Sequence, residues 1–102
     1  MPVKVKTDND TLIAAISGEI DHHTAPVLRD CIDSAIEMSR PKKLCLDFRE
    51  VSFMDSSGVG LVMGRYKTAK AFGSKTEIRN LNPRLEKIIK LSGLEKILEI
   101  KN

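Results

Sequence analysis

Ser52-Phe53-Met54-Asp55-Ser56-Ser57-Gly58-Val59-Gly60-Leu61-Val62-Met63-Gly64 is the stretch on which the reading of this chain turns. Gly58, Gly60 and Gly64 crowd together where apolar residues begin to recur at helical spacing: Val59, Val62, Met63, Tyr66 and Ala69. The pattern predicts a loop through Asp55, Ser56 and Ser57 and a helix from about Gly58 to Ala71, ended by Gly73. A glycine inside a helix costs about 1 kcal/mol relative to alanine. Three together call for a compensating reason, and close approach of another backbone is the usual one. For Gly64 that is either the chain's own sheet or a partner. For Gly58 and Gly60, beside two serines, it is a flush contact surface.

The serines have a plain explanation: either can cap the helix by accepting a hydrogen bond from an orphan N–H. Both cannot fill that one position, so one hydroxyl is left free and exposed. A helix start favours anions, so a phosphate added there would leave the helix intact. Beside Asp55 it would take the local charge from about −1 to about −3. Spacing alone does not choose between Ser56 and Ser57.

Outward on the N-terminal side, Lys43 to Phe48 is a nearly continuous apolar run, expected to be a central strand buried on both faces. Before it lies a helix carrying Leu28, Cys31, Ile32, Ala35 and Ile36. Thr24 is placed to cap it, Pro26 sits in its first turn, and Arg40-Pro41 stops it. Val3–Lys6 and Leu12–Ser17 read as a hairpin turned at Asn9-Asp10. On the C-terminal side come a strand over Thr76–Leu81 and a helix capped by Asn82, opened by Pro83 and stopped at Gly93. A last apolar segment, Leu94–Ile100, is a strand or a helical turn. The expected fold is α/β: one domain over residues 1–102, a small mixed sheet, and about three to four helices packed mainly on one side.

Composition agrees and excludes much else. The 102 residues are 41% apolar and 30% charged, enough for one core and no second domain. No apolar run approaches the ~20 residues of a membrane span. Met-Pro-Val-Lys-Val-Lys lacks the apolar stretch of a signal peptide. Two cysteines without export signals point to a reducing cytosol, with Cys31 and Cys45 as core hydrophobes. Residues 1–64 carry 7 Lys/Arg against 10 Asp/Glu, and residues 65–102 carry 10 against 4. The basic residues of the second half (Arg65, Lys67, Lys70 and those following) are spread singly, as on solvated helix faces, and no nucleic-acid module accompanies them.

Rival chemistries fail on detail. A nucleophile elbow needs Gly-x-Ser-x-Gly, but Met54 and Asp55 stand two before the serines. Gly58-x-Gly60 with Gly64 places the third glycine one position late for a dinucleotide fingerprint, and no Gly-Lys-Ser/Thr exists. His22-His23 on a turn, with no Cys-x-x-Cys, makes a poor metal site. A serine enzyme would have only His22 or His23 for a base. The expectation is no catalytic residue, metal or cofactor.

Gly18-Glu19-Ile20-Asp21-His22-His23-Thr24-Ala25, then Leu44–Phe48, then Ser52–Gly60 together resemble the STAS-domain anti-sigma-factor antagonists. Gly64-Arg65-Tyr66-Lys67 and the Asp-His-His-Thr-Ala wording are similar to the sporulation branch of that family, and the likeness continues to Leu91-Ser92-Gly93-Leu94. The resemblance implies a cytoplasmic, non-enzymatic partner switch. The unphosphorylated protein would bind an anti-sigma factor that is also a serine kinase, releasing the sigma factor. The kinase would use ATP to phosphorylate Ser56, ending the complex, and a metal-dependent serine phosphatase would restore it. No direct DNA binding is implied. Asp21 matches a position near the docking surface, which is expected to include Asp55, Ser57, Gly58, Gly60 and Leu61. Leu61 lies about 100° from Val62 around the helix and is expected to be an exposed anchor.

Overall fold

The computed structural model describes residues 2–102. β1 (Val3–Asp8) and β2 (Thr11–Ile20) form the hairpin, with Asn9 turning it at φ 56°. The remaining strands, β3 (Lys43–Met54), β4 (Lys75–Arg79) and β5 (Glu99–Lys101), lie parallel to β2 in the order β1-β2-β3-β4-β5. The connections are α1 (Ala25–Ser39), α2 (Ser56–Ala71), and α3 (Pro83–Leu91) followed by a 3-10 turn at Leu94–Lys96. The last apolar segment is therefore both a helical turn and a strand.

Alternation along the strands builds the core. Leu12, Ala14 and Ile16 of β2, Leu44, Leu46 and Phe48 of β3 and Ile78 of β4 are buried in one cluster with Leu28, Ile32 and Ile36 of α1. Val62 and Ala69 of α2 and Leu85 and Ile89 of α3 complete it. Gly93 (φ 82°) turns the chain after α3, and Asn82 Oδ1 caps that helix by accepting from Leu85 N–H at 2.9 Å.

The structure corrects the places of Cys45 and Arg65. The three helices contribute to one core cluster as expected, and among the described residues the second face of β3 is covered by side chains. There Cys45 lies beside Glu77, whose side chain is only 2% exposed beneath Lys43 (3.0 Å), Lys101 (3.7 Å) and Arg79. Cys45 is thus buried on the polar face and not in the core, and burial pushes its thiol up to about 11. Arg65 is likewise not solvated. Its side chain is buried at the α1–α2 contact and pairs with Asp33 at 2.7 Å, because α2 lies against α1 along that face.

The ends of β2 and β3 position the site. Ile20 pairs with Met54 as the last residues of neighbouring parallel strands, and Asp55 N–H donates to Ile20 C=O at 3.2 Å. The two turns that follow, Asp21–Thr24 and Asp55–Ser57, are therefore held side by side. Open parallel sheets place ligand-facing loops at this carboxyl edge.

Candidate functional site

In the first turn, Asp21 Oδ1 accepts from the N–H of His23 (2.9 Å) and of Thr24 (3.0 Å). Thr24 Oγ1 accepts from Asp21 N–H (3.0 Å) and donates to Glu19 C=O (2.9 Å). These N–H bonds from Thr24 and His23 hold the Asp21 carboxyl below its ordinary 3.8. Thr24 occupies the cap position, but its side chain makes no capping bond into α1. The expected Thr24 cap is replaced by the Asp21–Thr24 exchange.

In the second turn neither serine is the cap. Asp55 is, accepting from Ser57 N–H at 2.7 Å, so α2 begins at Ser56, two residues before the expected start. Ser56 is exposed in the first turn and Ser57 half-buried beside it. Among the described residues neither hydroxyl has a hydrogen-bond partner. α2 carries no acidic residue in its first turn, so only Asp55 at the cap supplies negative charge there.

The glycines separate into two kinds. A Cβ on Gly58 would meet Met54 at 2.6 Å from Sδ and 3.0 Å from Cβ, and Met54 is buried. Gly58 is therefore fixed by internal packing, which corrects its reading as contact surface. Gly60 and Gly64 have nothing within 4 Å of an added Cβ. Gly64 does not pack on its own sheet, and these two glycines present bare backbone outward on the side of Ser56.

Leu61 is corrected as well. It is 4% exposed and belongs to the core. The buried stripe of α2 runs Gly58, Leu61, Val62, Arg65, Ala69, with Val59, Met63 and Tyr66 only partly buried. The helix is rotated relative to the sequence reading because it packs on α1 as well as on the sheet. The exposed apolar residues near the site are Phe53 (43%), three before Ser56, and Val27 (52%), in the first turn of α1. The sequence reading passed over both, since Phe53 stands in a strand and Val27 beside a cap.

A shallow depression of about 240 Å³ separates the starts of α1 and α2, with His22, Arg29, Ser57 and Gly60 in its lining. His22 and His23 stack at 4.0 Å between ring centroids, and no hydrogen bond joins either to a serine among the described residues. No group of three or more His, Cys, Asp and Glu side chains able to hold a metal gathers among the described residues. No helix of the described residues is long and apolar enough to cross a membrane.

The STAS-domain family model matches residues 2–102. The chain belongs to the STAS family. It is 34% identical to the anti-sigma F factor antagonist of Paenibacillus polymyxa, covering 98% of this chain and 86% of that one. It is 36% identical to the anti-sigma-B factor antagonist of Bacillus subtilis, covering 96% and 88%. Among solved structures it resembles the anti-sigma factor antagonist SpoIIAA at 32% identity. The unphosphorylated form superposes with a TM-score of 0.83 over 98% of this chain and 87% of that one, and the phosphorylated Bacillus form with 0.75 over 98% and 90%. The STAS fold of this chain, a mixed five-stranded sheet with three helices, is the one those relatives share.

Proposed function

We propose that this STAS domain is an anti-sigma-factor antagonist of the sporulation type, switched by phosphorylation of Ser56. Unmodified, it binds an anti-sigma factor that is also a serine kinase and frees the sigma factor. Phosphorylated, it lets go, and a serine phosphatase resets it. The chain itself is a regulatory binding module that acts in the cytoplasm, without a cofactor and without touching DNA.

The observation that carries this reading is the state of Ser56. Its hydroxyl is exposed and unpartnered in the first turn of α2, on the outer side that carries the bare backbone of Gly60, while the neighbouring Asp55 carboxylate is committed to Ser57 N–H. A kinase can reach that oxygen without unfolding anything. Asp21, locked by its two N–H bonds on the adjoining turn, completes the surface with Ser57 and Gly60. The relatives' names support the class of partner.

Incubation with a kinase of this class and ATP, followed by mass spectrometry of residues 52–65, is expected to place one phosphate on Ser56 and none on Ser56→Ala. A Ser56→Ala protein modified as readily as wild type overturns the assignment. The likeness to the anti-sigma-B factor antagonist supports a second reading, a general-stress pathway. Titration against anti-sigma-F-type and anti-sigma-B-type partners separates the two by the tighter complex.

A further inference from the structure

At the edge of the sheet opposite to Asp21 and Ser56, where β3 and β4 begin at Lys43 and Lys75, lies a groove of about 430 Å³. It runs between the last turns of α2, the start of β4 and the segment from the 3-10 turn into β5. That volume suits a small organic ligand. Thr76 lines it from β4, on the core-facing side that Ile78 shares. The residue is 6% exposed, and its Oγ1 is buried without a hydrogen-bond partner among the described residues. Asp33 Oδ1, Arg65 Nε and Glu77 Oε1 also lack hydrogen bonds, but each stands in an ion pair at 2.7 or 3.0 Å. Thr76 Oγ1 has no such relief. A buried hydroxyl left unpaired is a cost to the fold. Its neighbours do not remove it: Ser74 Oγ is spent on Pro41 C=O, and the β4–β5 pairing starts one residue later, at Glu77–Glu99.

Tyr66, Ile97 and Leu98 give the groove apolar walls, and Ile97 is 43% exposed there. Lys70, Lys75 and Lys96 stand exposed around it, and none of them joins an ion pair among the described residues. Lys70 Nζ lies 5.8 Å from the Tyr66 ring centroid. Of the two carboxylates in the lining, Glu99 is paired with Lys101 at 3.6 Å, so Glu95 alone opposes the three ammonium groups. We infer that the groove binds a small carboxylate with an apolar body and a neutral hydrogen-bonding group at its far end. The carboxylate sits among the lysines, the body lies against Tyr66 and Ile97, and the far group bonds Thr76 Oγ1. The reverse orientation is disfavoured, because an ionised group in the buried end needs a counter-charge that one hydroxyl does not supply. A threonine hydroxyl donates once and accepts twice, so a phenol, an alcohol or an amide serves equally as the far group.

The test titrates the isotope-labelled full chain with para-hydroxyphenylacetate and follows its amide NMR signals. Phenylacetate, which lacks the far hydroxyl, and tyramine, which carries an amine in place of the carboxylate, are titrated beside it. The expected result is saturable shifts at Tyr66, Thr76 and Leu98, with a dissociation constant of about 1 mM or tighter. Phenylacetate should bind about fivefold more weakly, and tyramine should not saturate. Thr76→Val keeps the shape of the side chain and removes the unpaired hydroxyl, so its melting temperature should be level or higher. It should bind the two carboxylates alike, while Lys70→Gln weakens both. Absence of saturation by para-hydroxyphenylacetate overturns the inference, as does tyramine binding as tightly as the acids. A Thr76→Val protein that still prefers the hydroxylated acid, or that melts well below wild type, overturns it too, since the hydroxyl would then be either unused by the ligand or already used by the fold.

Discussion

Gly58 and Gly60 stand two residues apart in one helix and are glycine for opposite reasons. Gly58 lies against Met54, so Gly58→Ala must move a buried side chain, at a cost of roughly 1–3 kcal/mol. Gly60→Ala meets nothing and gains helix propensity, up to about 1 kcal/mol. Thermal melts should therefore move in opposite directions, Gly58→Ala down and Gly60→Ala level or up. Gly60→Ala should nevertheless weaken the partner complex, since the added methyl stands where a flush surface is proposed. Equal melting shifts of one sign would contradict the packing account, and an unchanged affinity would remove Gly60 from the interface. Three crowded glycines were visible in the sequence, but which of them faced Met54 was not, because that depends on how β3 ends.

The elements were legible where the signal is local. Asn82-Pro83 opening α3, Gly93 after it, Asn9-Asp10 in the hairpin and Pro26 in the first turn of α1 all carry their own backbone chemistry, and the structure keeps each. What failed was rotation. Helical spacing around α2 fits two stripes almost equally, and the choice is made by α1, where buried Arg65 pairs with half-buried Asp33, a contact that no local pattern announces. Leu61 moves from surface to core as a result. Leu61→Asp should accordingly cost roughly 4 kcal/mol or more, a large part of the ~5–15 kcal/mol that holds a domain together. Circular dichroism should show it largely unfolded or melting far below wild type. A variant that kept the wild-type melting temperature would restore Leu61 to the exposed face. The caps failed for a similar reason: Asp21 and Asp55 each precede the residues expected to cap, and each serves backbone N–H groups instead.

Over the whole molecule, the helices and one face of the sheet enclose the core, and the other face is closed by charge. Burial, the largest influence on Glu77, pushes its carboxyl up, but Arg79 and Lys43 together outweigh it and hold it below the ordinary 4.5. Asp21 is lowered by its N–H bonds, and Glu86 by Asn102 and Lys90. A carboxyl lowered by folding stabilises the native state above its unfolded pKa and loses that contribution as pH falls toward the folded one. Urea midpoints should thus be level near neutrality and fall below about pH 4.5, and Glu77→Gln should flatten part of that fall. A Glu77→Gln curve parallel to wild type would show that the network adds nothing to acid stability. At the carboxyl edge of the same sheet, the turns that carry Asp21 and Ser56 lie side by side because β2 and β3 end together at Ile20 and Met54, so a modification at one turn alters the surface shared by both. A phosphate on Ser56 adds about −1.5 to −2 charges to that surface, and an unpaired charge in a close interface costs several kcal/mol, with each 1.4 kcal/mol a factor of ten in affinity. The direct measurement is calorimetric titration of the anti-sigma factor kinase with wild-type protein, with the Ser56 phosphoprotein and with Ser56→Asp. The account predicts a tight complex for the first and affinities weaker by at least about a hundredfold for the other two. Equal dissociation constants for the unmodified and phosphorylated proteins would contradict it.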